Sequence, residues 1–247
     1  MLPVICCESG MNCIKKSAIL PKALVFLLAC SLILNFLFII QSWQRTVVSS
    51  VPDGDSLQLS DGRRVRLLGI DAPERGNCIA DDAQKALETA AKGKHIRMKN
   101  VVTDDYGRIL ANVIIEDFPI WLSYMRQRLV ERIPLSPDPY LNRMMVTRGL
   151  ARFESVKNEY YDTLKTAQSA AKEQRLGVWS DLCRKTTNTN PDCEIKGNTR
   201  DGNKTYHSPN CANYTQTIID ESYGDRWFCS EEEAEQAGFS KAAGCQR

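Results

Sequence analysis

The chain has 247 residues, room for one ordinary domain and a smaller one, and its 43% apolar content excludes a disordered chain. The formal net charge of +2 is unevenly spread: residues 1–43 carry +2, residues 44–190 carry +4 and residues 191–247 carry −4. Only the middle favours an anionic partner, and through local placement of charge rather than a broad basic face. With just two histidines, His95 and His207, Ser-His-Asp, Cys-His and two-His zinc chemistry are argued against there, which leaves carboxylates and arginines.

In chain order, Ala23 to Ile40 is a nearly unbroken apolar stretch, preceded by Lys15, Lys16 and Lys22 and followed by Trp43. Length, flanking lysines and an interfacial tryptophan predict an uncleaved transmembrane anchor through residues 23–40, with residues 1–43 as cytoplasmic N-terminus plus span and the remainder outside. A cleaved signal peptide is the alternative, which would make the protein secreted. Translation could start at Met1 or Met11.

VPDGDSLQLSDGRRVRLLGIDAPE, residues 51–74, predicts a hairpin: Asp53-Gly54 and Asp61-Gly62 are turn dipeptides around strands at Ser56–Leu59 and Val65–Ile70. Its carboxylates, Asp53, Asp55, Asp71 and Glu74, are interleaved with Arg63, Arg64 and Arg66. A helix follows over about 81–91, stopped by Gly93, then strands at 95–101 and 109–115 around a TDDYGR turn. Residues 118–139 form a longer Pro-bounded insertion, read as plain structural elaboration, with a lid or partner surface as the alternative. Asp138-Pro139 reads as a cap and first position of a helix to about Arg148, ended by Gly149. ARFE is a short strand, and Asn158 caps a helix to about Arg175 with Gly177 as its stop. A polar linker at 185–192 closes this region. Short strands with local turns, then helices, give an α+β domain on a small barrel or rolled sheet.

DGDS, RLLGIDAPE, TDDYGRILA, VTRGLARF and a helix ending in LGVWS, in that order over residues 46–182, resemble the thermonuclease (staphylococcal-nuclease-like) family. The resemblance implies a five-stranded OB-type β-barrel with three helices over about residues 44–186, and a calcium-dependent phosphodiesterase, an endonuclease and metal-binding hydrolase, acting on DNA and RNA. It places Asp55, Asp71 and the Ala72 backbone carbonyl as ligands of one Ca2+ ion and Glu74 as the group that activates water. Arg66 and Arg108 fall on its phosphate-binding arginines, and the resemblance further implies attack with loss of the 5′-oxygen, leaving 3′-phosphate ends. Asp53, Ser56 and Tyr106 support the site, whereas Ser155 and Lys157 stand where the family has substrate-side tyrosines. A catalytically inactive OB-type binding module for nucleic acid or a partner is the alternative, against which the retained acids and arginines argue.

Ten cysteines are present, and six lie beyond the apolar stretch: Cys78, Cys183, Cys193, Cys211, Cys229 and Cys245. An even set beyond an export segment suggests disulfides. Residues 191–247 resemble a small cysteine-containing C-terminal module of bacterial relatives. Through that resemblance Cys193 and Cys229 are expected as a pair, with Cys211 and Cys245 as a second, and Cys78 with Cys183 stapling the nuclease-like domain. His207-x3-Cys211 with Cys229 and Cys245 offers a zinc alternative, weakened by the missing CxxC pairs. The whole predicts a membrane-anchored nuclease facing the periplasm or cell surface.

Overall fold

Leu57, Leu59, Val65 and Leu67 alternate with polar residues along two short strands, and all four are buried, the period-two signature of a sheet with one face on a core. The structure, a computed structural model, describes residues 22–44, 46–116, 139–200 and 202–245. The chain divides into two units, Met1–Ser42 and Trp43–Arg247.

The first unit contains most of α1 (Lys22–Gln44). Its described side chains, residues 24–38, include exposed Leu24, Phe26, Leu32, Leu34, Phe36 and Phe38. Among the described residues no helix is long and apolar enough to cross a membrane. The expected membrane anchor through residues 23–40, and the tethered extracytoplasmic location built on it, are therefore withdrawn.

The second unit begins with β1 (Val48–Asp53), β2 (Ser56–Leu59), β3 (Arg64–Leu67) and β4 (Ile70–Asp71), followed by α2 (Ala80–Ala91), β5 (Ile96–Thr103) and β6 (Ile109–Ile115). Residues 117–138, which hold nearly all of the expected insertion and the Asp138 cap, lie outside the described residues. Then come α3 (Leu141–Thr147), β7 (Arg152–Phe153), α4 (Tyr161–Glu173) and a 3-10 turn at Gly177–Trp179. Five strands form one sheet in the order β1-β2-β3-β6-β5, with β3 and β6 parallel. The expected closed barrel is corrected to an OB-like α+β fold: among the described residues the outer strands β1 and β5 form no ladder, and Val47 and His95, just before each, make an isolated bridge.

Helix faces complete this core. Ala83, Leu87 and Ala91 of α2 recur every four residues and are buried, as are Leu141, Met144 and Met145 of α3 and Leu164, Ala167 and Ala171 of α4. Asn142 pins α3 to the sheet: its Oδ1 accepts from the Val113 N–H at 3.0 Å and its Nδ2 donates to the Leu68 carbonyl at 2.9 Å. No side chain caps α3, whose N-cap position is Tyr140. The expected stop of α4 at Gly177 is also corrected. Arg175 takes the left-handed conformation at φ 53°, and Leu176 N–H returns to the Ala171 carbonyl, closing the helix two residues earlier. Gly177 has a different task, because a Cβ there would lie 2.1 Å from the Gly149 carbonyl oxygen, and one on Gly149 2.3 Å from that of Leu176. Only glycines let these two backbones meet.

The remaining residues form β8 (Arg184–Lys185), β9 (Ile195–Arg200), β10 (Asn203–His207), β11 (Ile219–Asp220), a 3-10 turn (Glu221–Tyr223), β12 (Arg226–Phe228), α5 (Glu231–Gln236) and β13 (Ser240–Lys241). A four-stranded sheet, β12-β9-β10-β13, packs Ile195, Tyr206, Phe228, Ala234 and Phe239 into a second, smaller core. Disulfides join Cys193 to Cys229, Cys211 to Cys245 and Cys78 to Cys183, the last closing a loop of 105 residues. Such bonds belong to an oxidising compartment.

Candidate active site

The site is assembled by the turn between β1 and β2. A Cβ on Gly54 would sit 2.8 Å from the Cβ atoms of both Ala72 and Ala83, so the missing side chain lets this turn press against the segment after β4 and against α2. Asp53 Oδ1 accepts from the Asp55 N–H at 3.2 Å, aiming Asp55 inward, where it is only 2% exposed. Across the hairpin Ser56 lies opposite Arg66, so the basic group stands beside the acid by strand register.

Arg66 then divides its fork. Its Nη1 donates to Asp55 Oδ1 at 2.6 Å, and its Nη2 donates to Asp71 Oδ1 at 2.7 Å. Asp55 also accepts from the Ser56 hydroxyl at 3.1 Å and, through Oδ2, from the Ala72 N–H at 3.1 Å. Two carboxylates share one guanidinium, with a third, Asp53, alongside. Burial pushes the Asp55 carboxyl up to about 7, outweighing Arg66 and the Ala72 N–H, which pull it down, while Asp53 adds to the rise. For Arg66, burial alone would lower the value, but the charges of Asp55, Asp71, Asp53 and Glu154 together raise it.

The structure brings together Asp53, Asp55, Ser56, Arg66, Asp71 and Ala72. Glu74 lies three residues beyond Asp71, exposed, and its carboxylate has no hydrogen bond or ion pair among the described residues. Arg108 stands in the turn that leads into β6, paired with Asp104 at 2.6 Å and 5.4 Å from the Tyr106 ring. Burial would raise Asp104, yet hydrogen bonds from the Arg108 N–H and side chain and the Tyr106 N–H hold it below the usual carboxylate range. Among the described contacts Arg108 makes none to Asp55 or Asp71. Tyr106 is 86% exposed.

The donor set suits a hard cation. Carboxylate oxygens of Asp55 and Asp71 converge closely enough to share one positive charge, and carboxylate oxygens are the ligands that calcium takes. In the C-terminal region His207, Cys211 and Cys245 place ligand atoms within 4.8 Å of one another, but the two sulfurs are joined to each other, so neither offers a thiolate.

One group near the site has no counterpart in the sequence reading. Arg152 of β7 is paired in register with Asp71 of β4, and its guanidinium is buried among Asp220, Ser222 and Tyr223. Burial raises the Tyr223 phenol, on which Arg152, Asp220, Arg200 and Asp71 also act. In sequence Arg152 is one arginine in a two-residue strand, with no periodicity to mark it.

The family described as Staphylococcal nuclease homologue matches residues 64–181, and the one described as ArfC matches residues 183–241. The first range takes in Arg66, Asp71, Glu74 and Arg108, while Asp53, Asp55 and Ser56 precede it. A micrococcal nuclease of Shigella flexneri is 30% identical over 145 residues, covering 56% of this chain and 74% of that protein. An uncharacterized endonuclease of Escherichia coli is 29% identical over 140 residues, 54% of this chain and 76% of its own, and the Escherichia coli protein ParB is 28% identical over 141 residues, 56% and 73%. The chain belongs to the staphylococcal nuclease family.

Proposed function

We propose that the chain is an endonuclease that hydrolyses phosphodiester bonds of DNA and RNA with a divalent cation, calcium, at the hairpin site. The observation that carries this reading is the convergence of Asp55 and Asp71 on the two arms of Arg66, at 2.6 and 2.7 Å. A phosphodiester is anionic and gains charge on its equatorial oxygens during attack, so the site must present positive charge in fixed places. Asp55, Asp71 and the Ala72 carbonyl would hold the cation, whose chemistry when bound is to polarise a phosphate oxygen and lower the pKa of water.

The protein's own groups do the rest. Arg66, held by register and two carboxylates, presents a planar fork that matches phosphate oxygens. Arg108 is engaged by Asp104 in an exposed pair; such pairs are weak, so its guanidinium can turn from Asp104 to a phosphate at little cost. Glu74, exposed and without an ion pair among the described residues, accepts the proton of the attacking water after the tight Ala72-Pro73 step. The P–O bond to the 5′-oxygen then breaks, that oxygen takes a proton from solvent as it departs, and a 3′-phosphate end is left.

The test is degradation of single-stranded DNA with calcium or with a chelator, by the native protein and by Glu74→Gln. Glu74→Gln is expected to reduce kcat on the order of 100-fold, and chelator to abolish cleavage. Full activity in chelator would overturn the cation assignment.

A further inference from the structure

Asp71, Ala72 and Glu74 lie on residues 71–78, a stretch with little regular structure of its own. It starts in β4, which has two residues and among the described residues pairs only with the two residues of β7, and so short a ladder holds few hydrogen bonds. Support comes from the C-terminal region, at both ends of the stretch.

At the front end Arg152, opposite Asp71 across the β4–β7 pair, sends Nη2 to both oxygens of Asp220, at 2.9 and 2.8 Å, and to the Ser222 hydroxyl. The Tyr223 ring covers its guanidinium at 3.9 Å. At the back end the Cys78 N–H donates to the Glu221 carbonyl at 3.2 Å, and Asn77 Nδ2 to the Ser222 carbonyl at 3.5 Å. Cys78 is bonded to Cys183, whose carbonyl accepts from the Glu221 N–H at 2.8 Å. One short turn, Asp220–Tyr223, thus meets both ends of the acidic stretch. It is itself fixed by Asp220, which accepts from Ser222 N–H at 3.3 Å, and by the Lys185–Glu221 pair at 2.6 Å.

We propose that the Asp220–Tyr223 turn is a strut for residues 71–78, with Arg152 and Asp220 as positioning residues that hold Asp71 and Glu74 in place against Asp55 and Arg66. Its catalytic consequence rests on the nuclease reading above; its structural consequence does not. The small C-terminal region is then a working part of the site, because a displacement of about 1 Å in a catalytic group can lower rate on the order of 100-fold. Arg152 differs from lysine here in its flat guanidinium, which the Tyr223 ring covers at 3.9 Å while Nη2 reaches both Asp220 oxygens.

The experiment uses the full chain with Arg152→Lys, Asp220→Asn and, as the mildest change, Ser222→Ala, which keeps the measurement possible if the first two fail to fold. Amide hydrogen exchange is followed at Ala72 and Cys78, with β2 and β6 amides as references, and kcat and KM are measured on single-stranded DNA with calcium. The expected result is exchange about tenfold faster at Ala72 and Cys78 with the reference strands unchanged, and kcat reduced about tenfold with KM nearly constant. Variants that lose thermal stability yet keep native exchange at 71–78 and native kcat per folded molecule would overturn the strut and leave the contact as a stitch between two regions. Absence of cleavage by the native protein would sink the nuclease reading, while the exchange data would still decide the strut.

Discussion

Two arginines sit on either side of Asp71, and the protein treats them in opposite ways. Arg66 serves two carboxylates with one fork, while Asp53 waits beside them. Arg152 gives one nitrogen to both oxygens of a single carboxylate, adds a hydroxyl, and is covered by an aromatic ring. The first cluster has an excess of negative charge and is open at Asp71, whose side chain is 34% exposed; the second is matched and closed. Buried charge is retained at a cost unless it is matched, so the unmatched cluster has a reason to exist only if something else binds there. The contrast separates the part of the molecule shaped for a ligand from the part shaped to hold that first part still.

The contrast is broken most directly by removing each arginine in turn. Arg66→Ala is expected to lower kcat on single-stranded DNA by on the order of 100- to 1000-fold, the usual cost of one transition-state donor. Its effect on folding is modest below about pH 7, because Asp55 can take a proton there. Arg152→Ala leaves the buried Asp220 carboxylate with Arg184 at 3.6 Å as its remaining cation and is expected to destabilise the fold by about 3 kcal/mol, read by denaturant unfolding. If Arg66→Ala destabilised more than Arg152→Ala at pH 6, the division between an open and a closed cluster would be wrong.

The open cluster was legible in sequence and the closed one was not, for a physical reason. Asp53, Asp55, Arg66 and Asp71 lie within one hairpin and its continuation, whose turns and strands the local pattern gives, while their site roles come through the family resemblance. Arg152 meets Asp220 across 68 residues, and no local pattern encodes that meeting. Strands β2 and β6 agree with the sequence reading because each is bounded by turns and carries its own apolar run. Barrel closure was misread, since whether β1 and β5 pair depends on how the ends of the sheet are placed and not on either strand's composition. The stop of α4 was misread because Gly177, the obvious breaker, is required by the approach of Gly149, while Arg175 does the breaking. Arg108 was assigned through the family resemblance; the structure adds that Asp104 engages it.

A smaller effect tests the charge excess itself. Asp55 has its carboxyl raised to about 7 from an ordinary 3.8, so the folded state binds a proton more tightly than the unfolded chain does. Its contribution to stability is present in full below 3.8, declines as pH rises toward 7 and is gone above that. In chelator, the Asp55→Asn protein does not titrate at this position, so its melting temperature relative to the native protein should climb from pH 4 to pH 7 and then level off. Calcium should reverse the ranking at pH 8 by favouring the ionised native carboxylate, and the native protein's calcium affinity should fall as pH drops below 7. A difference in melting temperature that stayed flat across that range would mean the Arg66 contact outweighs burial.

The smallest expected effect concerns Arg108. Asp104 accepts three hydrogen bonds from the turn that carries Tyr106 and Arg108, and asparagine can still accept the backbone pair. Asp104→Asn should therefore leave the unfolding midpoint unchanged within error, since an exposed pair adds little to stability. What it changes is competition: with the anionic partner gone, Arg108 meets the DNA phosphate without first leaving a carboxylate. KM for single-stranded DNA should fall modestly, more at low salt than at high, because the competing attraction is screened. An unchanged KM at every ionic strength would show that Arg108 does not reach the substrate from this turn, and the phosphate would then be held from the hairpin side by Arg66 alone.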